Sequence, residues 1–477
     1  MDMKNKKISY MVWILFVSLT TYTSAQRIEI QNSNFVVLDK QILINGANTP
    51  WIAWNDFGGN YNSNNWDKAF QDLVDANINC TRVWITCNSD NTGIIINSSG
   101  YVSSVTQDFW DDVDSLMQIT ESKKIYLMVA MTSFDHVIYE QNKNFYYERW
   151  RNMYKSESNR LSFINNFVIP FVNRYKDNPY FFALEPANEI EWVFENTEVT
   201  QAQVQDLVAL TANAVHANSS ILVFQGTGAG PKYLSDNFWA TDLFGDDVLS
   251  SFRTSAHLDF YNVHHYEWMT QYWGTPYDNT PTDYYINTKP CIVGEFPAIG
   301  SDGYTTLQCY QNIYSNGWKG AMAWTSNGVD SNGDIDDMKT AAQWLFQYYP
   351  QYVCPITNDA DFDQIPDDYE QLYSGSTTEL DPTVDNDLDN LNNLQEWIAM
   401  TNPNDSNSYF RINSISMSNQ QITITWNSIS NRIYTILGKS NLTNDYITVM
   451  DSIQYPVSQY TTMNNNLKFF SIKAYSK

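Results

Sequence analysis

Eight short apolar runs, at residues 44–47, 81–85, 125–130, 181–184, 221–224, 260–263, 291–293 and 321–324, recur through the first 354 residues of this chain. Amphipathic stretches of helical period lie between most of them, at 66–76, 109–119, 161–175, 202–217 and 305–314. A short run that is apolar throughout reads as a strand buried on both faces, and a strand followed by a helix is the unit of parallel crossover. Eight such units in succession predict an α/β fold, a (β/α)8 TIM barrel with its strands inside and its helices outside. The rival, an open doubly wound sheet, carries a glycine-rich phosphate turn after its first strand, and none follows the first run here. A hairpin at 35–38 and 41–44 is predicted to cap the amino-terminal end of the barrel.

A change in charge marks where the barrel stops. Residues 355–405 hold 13 Asp or Glu and no Lys or Arg. Beyond them the chain reads as strands only, with Ile422, Ile424 and Trp426 alternating against threonines at period two. Four regions are therefore expected: a leader at 1–25, the barrel at 26–354, an acidic connector at 355–406 and a small antiparallel β-sandwich-like module at 407–477. The leader sets Lys4, Lys6 and Lys7 before an uncharged apolar stretch at 11–19 and small residues at 23–25. Those are the three parts of a secretory signal, whose apolar core is too short to span a bilayer. With no later stretch long enough to be a transmembrane segment, a secreted or cell-surface monomer is expected. The chain has 27 Lys and Arg against 53 Asp and Glu, a net charge of −26. That excludes binding of nucleic acid through its phosphates, which needs a basic face. The five cysteines, at 80, 87, 291, 309 and 354, form neither a disulfide framework nor a zinc-type spacing. Cys80 and Cys87, on one predicted strand, would lie roughly 20 Å apart, too far to bridge.

Function in such a barrel gathers where strands end at the carboxyl face. There the sequence places Asn188-Glu189 after the fourth run, His264 and Tyr266 after the sixth, and Gly294-Glu295-Phe296 after the seventh. Arg82 lies on the second run and Trp324 ends the eighth. Two carboxylates at one end of a barrel are what glycosidic cleavage needs, one as proton donor and one as nucleophile. These motifs, in this order, resemble glycoside hydrolase family 5 and its wider clan over residues 35–345. The resemblance implies that Glu189 is the general acid/base and Glu295 the nucleophile of a retaining enzyme with no catalytic cofactor. It also implies that Asn188 holds the sugar 2-hydroxyl, that Tyr266 and Arg82 hydrogen-bond Glu295, that His264 lies beside the acid/base, and that Trp324 floors the subsite at the cleaved bond. Glu295 beside a guanidinium should have a lowered pKa, while burial and the charge of Glu295 should keep Glu189 protonated.

Neighbouring residues compete for these roles. Glu185, four residues before Glu189, is expected in the barrel wall, and Glu191 two past it. His265 should point away from His264, since strand side chains alternate. Asp135 and His136 follow the third strand and either reach the cleft or bond locally. Trp51, Trp54, Trp150, Trp192, Trp268 and Trp273 could stack on the apolar faces of sugar rings or pack in the core. Trp192 and Trp268, nearest the motifs, are the expected sugar platforms.

In the connector, Asp359, Asp361, Asp363, Asp367 and Glu370 occupy positions 1, 3, 5, 9 and 12 of a loop. Asp385, Asp387, Asp389, Asn393 and Glu396 repeat the pattern 26 residues on. That array suits Ca2+, with the backbone carbonyls of Ile365 and Leu391 at position 7. It resembles the calcium-binding repeats of thrombospondin type 3 and dockerin-like loops. The usual glycine at position 6 is Gln364 in one loop and Asn390 in the other, and asparagine tolerates the left-handed turn better. The ions are expected to be structural. The combined expectation is a secreted retaining β-glycoside hydrolase acting on a β-1,4-linked polysaccharide, mannan or glucan. Residues around Asn178-Pro179, Asn188-Glu189 and strand six resemble mannan-cleaving members. The alternatives are an exo-acting β-glycosidase, its cleft blocked by the loops at 132–157 and 265–290, and a non-catalytic carbohydrate-binding or calcium-dependent adhesion protein.

Overall fold

The computed structural model describes residues 27–477 apart from 38–39, 139–146, 235–242, 350–351, 353–362, 364, 377, 419–420, 429–431, 442, 444–445, 455, 464–466 and 477. The leader, Cys354, Asp359, Asp361 and Gln364 lie outside the described residues. The chain forms two compact units, Thr23–Pro355 and one containing Ile356–Lys477.

The first unit is a closed parallel barrel. Its strands are β4 (Ile44–Asn48), β5 (Cys80–Trp84), β8 (Tyr126–Ala130), β9 (Phe181–Glu185), β10 (Leu222–Thr227), β11 (Phe260–His264), β12 (Cys291–Glu295) and β13 (Gly320–Trp324), with β13 pairing back onto β4. Each coincides with one of the eight apolar runs. Crossover helices start where the sequence supplies caps: Asn62, Thr106, Thr200 and Thr305 each accept a hydrogen bond from the backbone N–H three residues on. These bonds satisfy donors that a helix start otherwise leaves unpaired. Cys87 lies beyond the end of β5, and Cys80, Cys87, Cys291 and Cys309 are all free and buried.

The amino-terminal hairpin differs from expectation. Strands β1 (Glu29–Gln31), β2 (Asn34–Val37) and β3 (Lys40–Gln41) make a three-stranded antiparallel sheet, and Ile44 belongs to the barrel, where it pairs with Gly320. The second arm stops at Gln41 because the chain must turn there to enter β4. The sheet still seals the floor. Phe35, Val37 and Ile42 join Met128, Phe182, Phe224, Phe260 and Ile292 in one buried cluster. The Phe35 ring sits edge-on to Phe260 and Phe182, with centroids 5.1 and 6.4 Å away. A further hairpin, β6 (Ile94–Ile96) with β7 (Val102–Val105), is inserted after β5.

The second unit carries helices Asp367–Tyr373 and Asn393–Ala399, followed by two three-stranded antiparallel sheets. One sheet orders β14 (Ile412–Ser418), β15 (Gln421–Trp426) and β18 (Gln459–Met463). The other orders β17 (Ile447–Gln454), β16 (Arg432–Lys439) and β19 (Phe469–Ser476). Ile422, Ile424, Trp426, Tyr434, Ile436 and Ile472 form their common core. Arg432 ties the second helix to this core by donating to the carbonyls of Ile398 and Trp397 at 2.6 and 2.9 Å.

Phe35→Ala should leave a cavity in the barrel floor and cost about 3–5 kcal/mol. The check is the unfolding midpoint of the first unit, which should fall while the far-ultraviolet circular dichroism of the folded protein is unchanged.

Candidate active site

The carboxyl ends of the barrel strands converge on one buried guanidinium. Arg82, fully buried on β5, donates through Nε and Nη2 to Glu185 Oε2 at 2.9 and 2.6 Å. Its Nη1 donates to Glu295 Oε1 at 2.8 Å, and Nη2 also donates to Asn188 Oδ1 at 2.7 Å. With Asn48 Oδ1 on β4 also accepting from Nη1 at 3.3 Å, this planar fork with five donors reaches acceptors on three strands at once, which a lysine could not. Tyr266 donates its hydroxyl to the second oxygen of Glu295 at 3.0 Å.

A bulge sets the next contact. Strands β11 and β12 pair Val263 with Val293, then His264 with Glu295, so Gly294 is skipped. The extra residue re-aims the side chains that follow it. Gly294 is needed there, since a Cβ would lie 1.7 Å from Asn262 Oδ1. His264 Nδ1 consequently sits 2.8 Å from Glu189 Oε1 and 3.5 Å from Glu295 Oε1. One oxygen of each glutamate and a ring nitrogen of His264 all lie within 4.8 Å of one another.

Glu189 adopts a left-handed backbone, φ 45°, a conformation costly for a side chain of its length and found where surroundings impose it. Two neighbours do so. Trp192 donates its indole N–H to Glu189 Oε2 at 2.9 Å. Gly228, just past β10, lets the main chain lie against the carboxylate, for a Cβ there would sit 2.3 Å from Glu189 Cδ. Glu191 is also buried and accepts from the Ala229 N–H at 3.1 Å, beside Gly228.

Burial pushes Glu189 up to about 7, opposed by the Trp192 hydrogen bond and by Arg82. Burial likewise pushes Glu185 up to about 7 against the pull of Arg82. Glu295 is raised too, and not lowered as the guanidinium alone suggests. Burial, with the charge of Glu189, outweighs His264, Arg82 and the Tyr266 hydroxyl, and Arg82 divides its charge between two carboxylates. His264 is pushed down to about 4 by burial, so it is a neutral ring hydrogen-bonding a carboxyl group and not an ion-pair partner.

The other candidates make different contacts. His265 pairs with Asp302 at 2.7 Å, away from the cleft. His136 is buried edge-on to Trp150, and Asp135 accepts from the Ser133 hydroxyl. Trp324 is 4% exposed and packs with Trp51 and Trp84, at centroid distances of 6.0 and 5.7 Å. Trp54 continues that cluster to the surface, and Trp268, on the loop after β11, is 50% exposed. Sequence reasoning missed the Glu185 carboxylate as the partner of Arg82 and Gly228 as the wall behind Glu189.

In the second unit, carboxylate oxygens of Asp385, Asp387 and Asp389 lie within 4.8 Å of one another. One oxygen each of Asp387, Asp389, Asn393 and Glu396 is buried without a partner. Asn390 takes φ 77°, the left-handed turn required at position 6. Burial and the charges of Asp387 and Asp389 push Glu396 up to about 8. In the first loop, Asp363 and Glu370 are buried, while Asp359 and Asp361 lie outside the described residues.

Comparison with known proteins adds to this geometry. The family model for cellulase (glycosyl hydrolase family 5) matches residues 39–330. A mannan endo-1,4-beta-mannosidase from Cryptopygus antarcticus is 25% identical over 348 residues, covering 66% of this chain and 87% of that protein. Its namesake from Mytilus edulis is 20% identical over 339 residues, covering 65% and 90%. Among solved structures, the beta-1,4-mannanase of the sea hare Aplysia kurodai shares the fold with a TM-score of 0.60 at 22% identity, covering 68% of this chain and 98% of that one.

Arg82→Ala would strand two buried carboxylates, and removing one partner of such a cluster costs about 3–5 kcal/mol. A lowered unfolding midpoint, only partly restored by Arg82→Lys, is the expected result.

Proposed function

Because the chain belongs to glycosyl hydrolase family 5 and is a glycoside hydrolase, we propose that it cleaves β-1,4-linked mannan internally, with retention at the anomeric carbon. The single observation that carries this reading is a pair of facing carboxylates with unequal partners at the carboxyl end of the barrel. Glu295, held by Arg82 and Tyr266, attacks the anomeric carbon. Glu189, kept protonated by burial, gives its proton to the departing oxygen. Carboxyl groups this close suit formation of a covalent glycosyl-enzyme, whereas an inverting pair needs about 6.5–9.5 Å to admit a water. Once Glu295 is esterified, Arg82 favours the ionised form of Glu189, which then activates water.

Other side chains bind and orient. Asn188 gives its carbonyl oxygen to Arg82, which leaves its amide N–H groups for the sugar 2-hydroxyl. Neutral His264 steadies Glu189, Trp324 backs the subsite at the cleaved bond, and exposed Trp268 offers a ring face to an outlying sugar. The mannan preference rests on the two relatives named as mannosidases. The leader at 1–25 supports secretion. The second unit would hold structural Ca2+ through Asp385, Asp387, Asp389, Asn393 and Glu396, the last four of which each keep a buried unpaired oxygen that suits a cation, with Asp359, Asp361, Asp363, Asp367 and Glu370 as the companion set.

Wild-type protein should release manno-oligosaccharides from β-mannan with the β-configuration retained, and Glu295→Gln should lower kcat by at least about 10³-fold. The wild-type kcat/KM should fall as pH rises through about 7, where Glu189 loses its proton, and fall again on the acid side as Glu295 gains one. Inverted product, or full activity in Glu295→Gln, overturns the mechanism, and cleavage of cellulose in preference to mannan overturns the substrate.

Chelation with EGTA should lower the thermal midpoint of the second unit, excess Ca2+ should restore it, and Asp387→Asn should abolish the response. An unaltered midpoint in EGTA would rule out the calcium role.

A further inference from the structure

Two of the five histidines of the chain meet an aspartate at the opposite end of the barrel from the glutamates. His216 lies in the last turn of helix Gln201–Asn218, and Asp259 immediately precedes β11. His216 Nε2 is 2.8 Å from Asp259 Oδ2, and His257 Nε2 is 3.5 Å from Asp259 Oδ1. One ligand atom from each of the three lies within 4.8 Å of the others. The imidazoles stack with centroids 4.2 Å apart and 24° between their planes. We propose that His216, His257 and Asp259 bind one first-row divalent cation of the zinc type.

The three side chains are held in orientations that suit a cation. His257 Nδ1 lies 3.0 Å from the Ser255 carbonyl, which can only accept, so Nδ1 carries the proton. That leaves Nε2 as the His257 nitrogen that faces the carboxylate. A histidine fixed through its other nitrogen by a backbone carbonyl is the usual outer shell of a metal-binding imidazole. Asp259 is fixed as well, since its Oδ2 accepts from the Val223 N–H at 2.6 Å. His216 presents Nε2 to the same carboxylate, and its Nδ1 is buried without a partner. Ligand atoms around a tetrahedral zinc stand roughly 3.2–3.5 Å apart, and the two carboxylate contacts present measure 2.8 and 3.5 Å. Two imidazoles and a carboxylate suit zinc, cobalt or nickel better than calcium, and the partly exposed His257 leaves an edge for water as a fourth ligand. Such an ion would cross-link the end of one crossover helix to the start of β11.

The test is calorimetric titration of Zn2+ into the full-length protein with Ca2+ in excess, which saturates oxygen-only sites. One equivalent should bind wild type, and His257→Ala and Asp259→Asn should each weaken binding more than about 100-fold. Both variants should keep wild-type hydrolysis, which shows them folded, and Zn2+ should raise the thermal midpoint of wild type only. His264→Ala separates this site from the catalytic trio and should leave the equivalent intact. No binding to wild type, equal binding to His257→Ala, or loss only in His264→Ala would each overturn the proposal.

Discussion

The buried guanidinium of Arg82 is the constraint around which the upper half of the barrel is arranged. A charge with no access to water must find its hydration shell in the protein, and here Glu185, Asn188, Glu295 and Asn48 supply it from three strands or their ends. Each acceptor is thereby fixed in place before any ligand arrives. Orientation that costs nothing at the moment of reaction is the largest contribution such a site can make to lowering a barrier. The same cluster explains why Glu185, which faces no cleft, is an acid at all: a single carboxylate could not satisfy five donors.

Glu189 is constrained differently. Its left-handed backbone, the indole of Trp192 and the bare main chain at Gly228 press on the carboxyl group from separate elements. The two glutamates thus differ in their surroundings more than in their burial. One is met by a cation and a phenol, the other by an indole and a neutral imidazole. Environments that diverge in this way let two chemically identical groups take opposite parts in proton transfer.

Much of this was legible in the sequence because it follows from periodicity. Strands buried on both faces leave uninterrupted apolar runs, and all eight appear in the barrel where those runs lie. The positions of Glu189 and Glu295 follow once strand ends are known. What could not be read depends on contacts between distant segments. Gly228 looks like any turn glycine until Glu189 is placed against it, and the Gly294 bulge shifts a register that no local pattern records. The downward effect of Arg82 on Glu295 was reasoned from one neighbour, whereas burial acts on the whole cluster. The hairpin β6–β7 was missed because its strands are short and one face is solvated, which mutes the hydrophobic signal.

The sheet formed by β1, β2 and β3 plugs the barrel with Phe35, so the cylinder is a cup and not a tube. Among the described residues, the way to the two glutamates therefore lies at the opposite rim, where Trp268 and Tyr272 stand exposed.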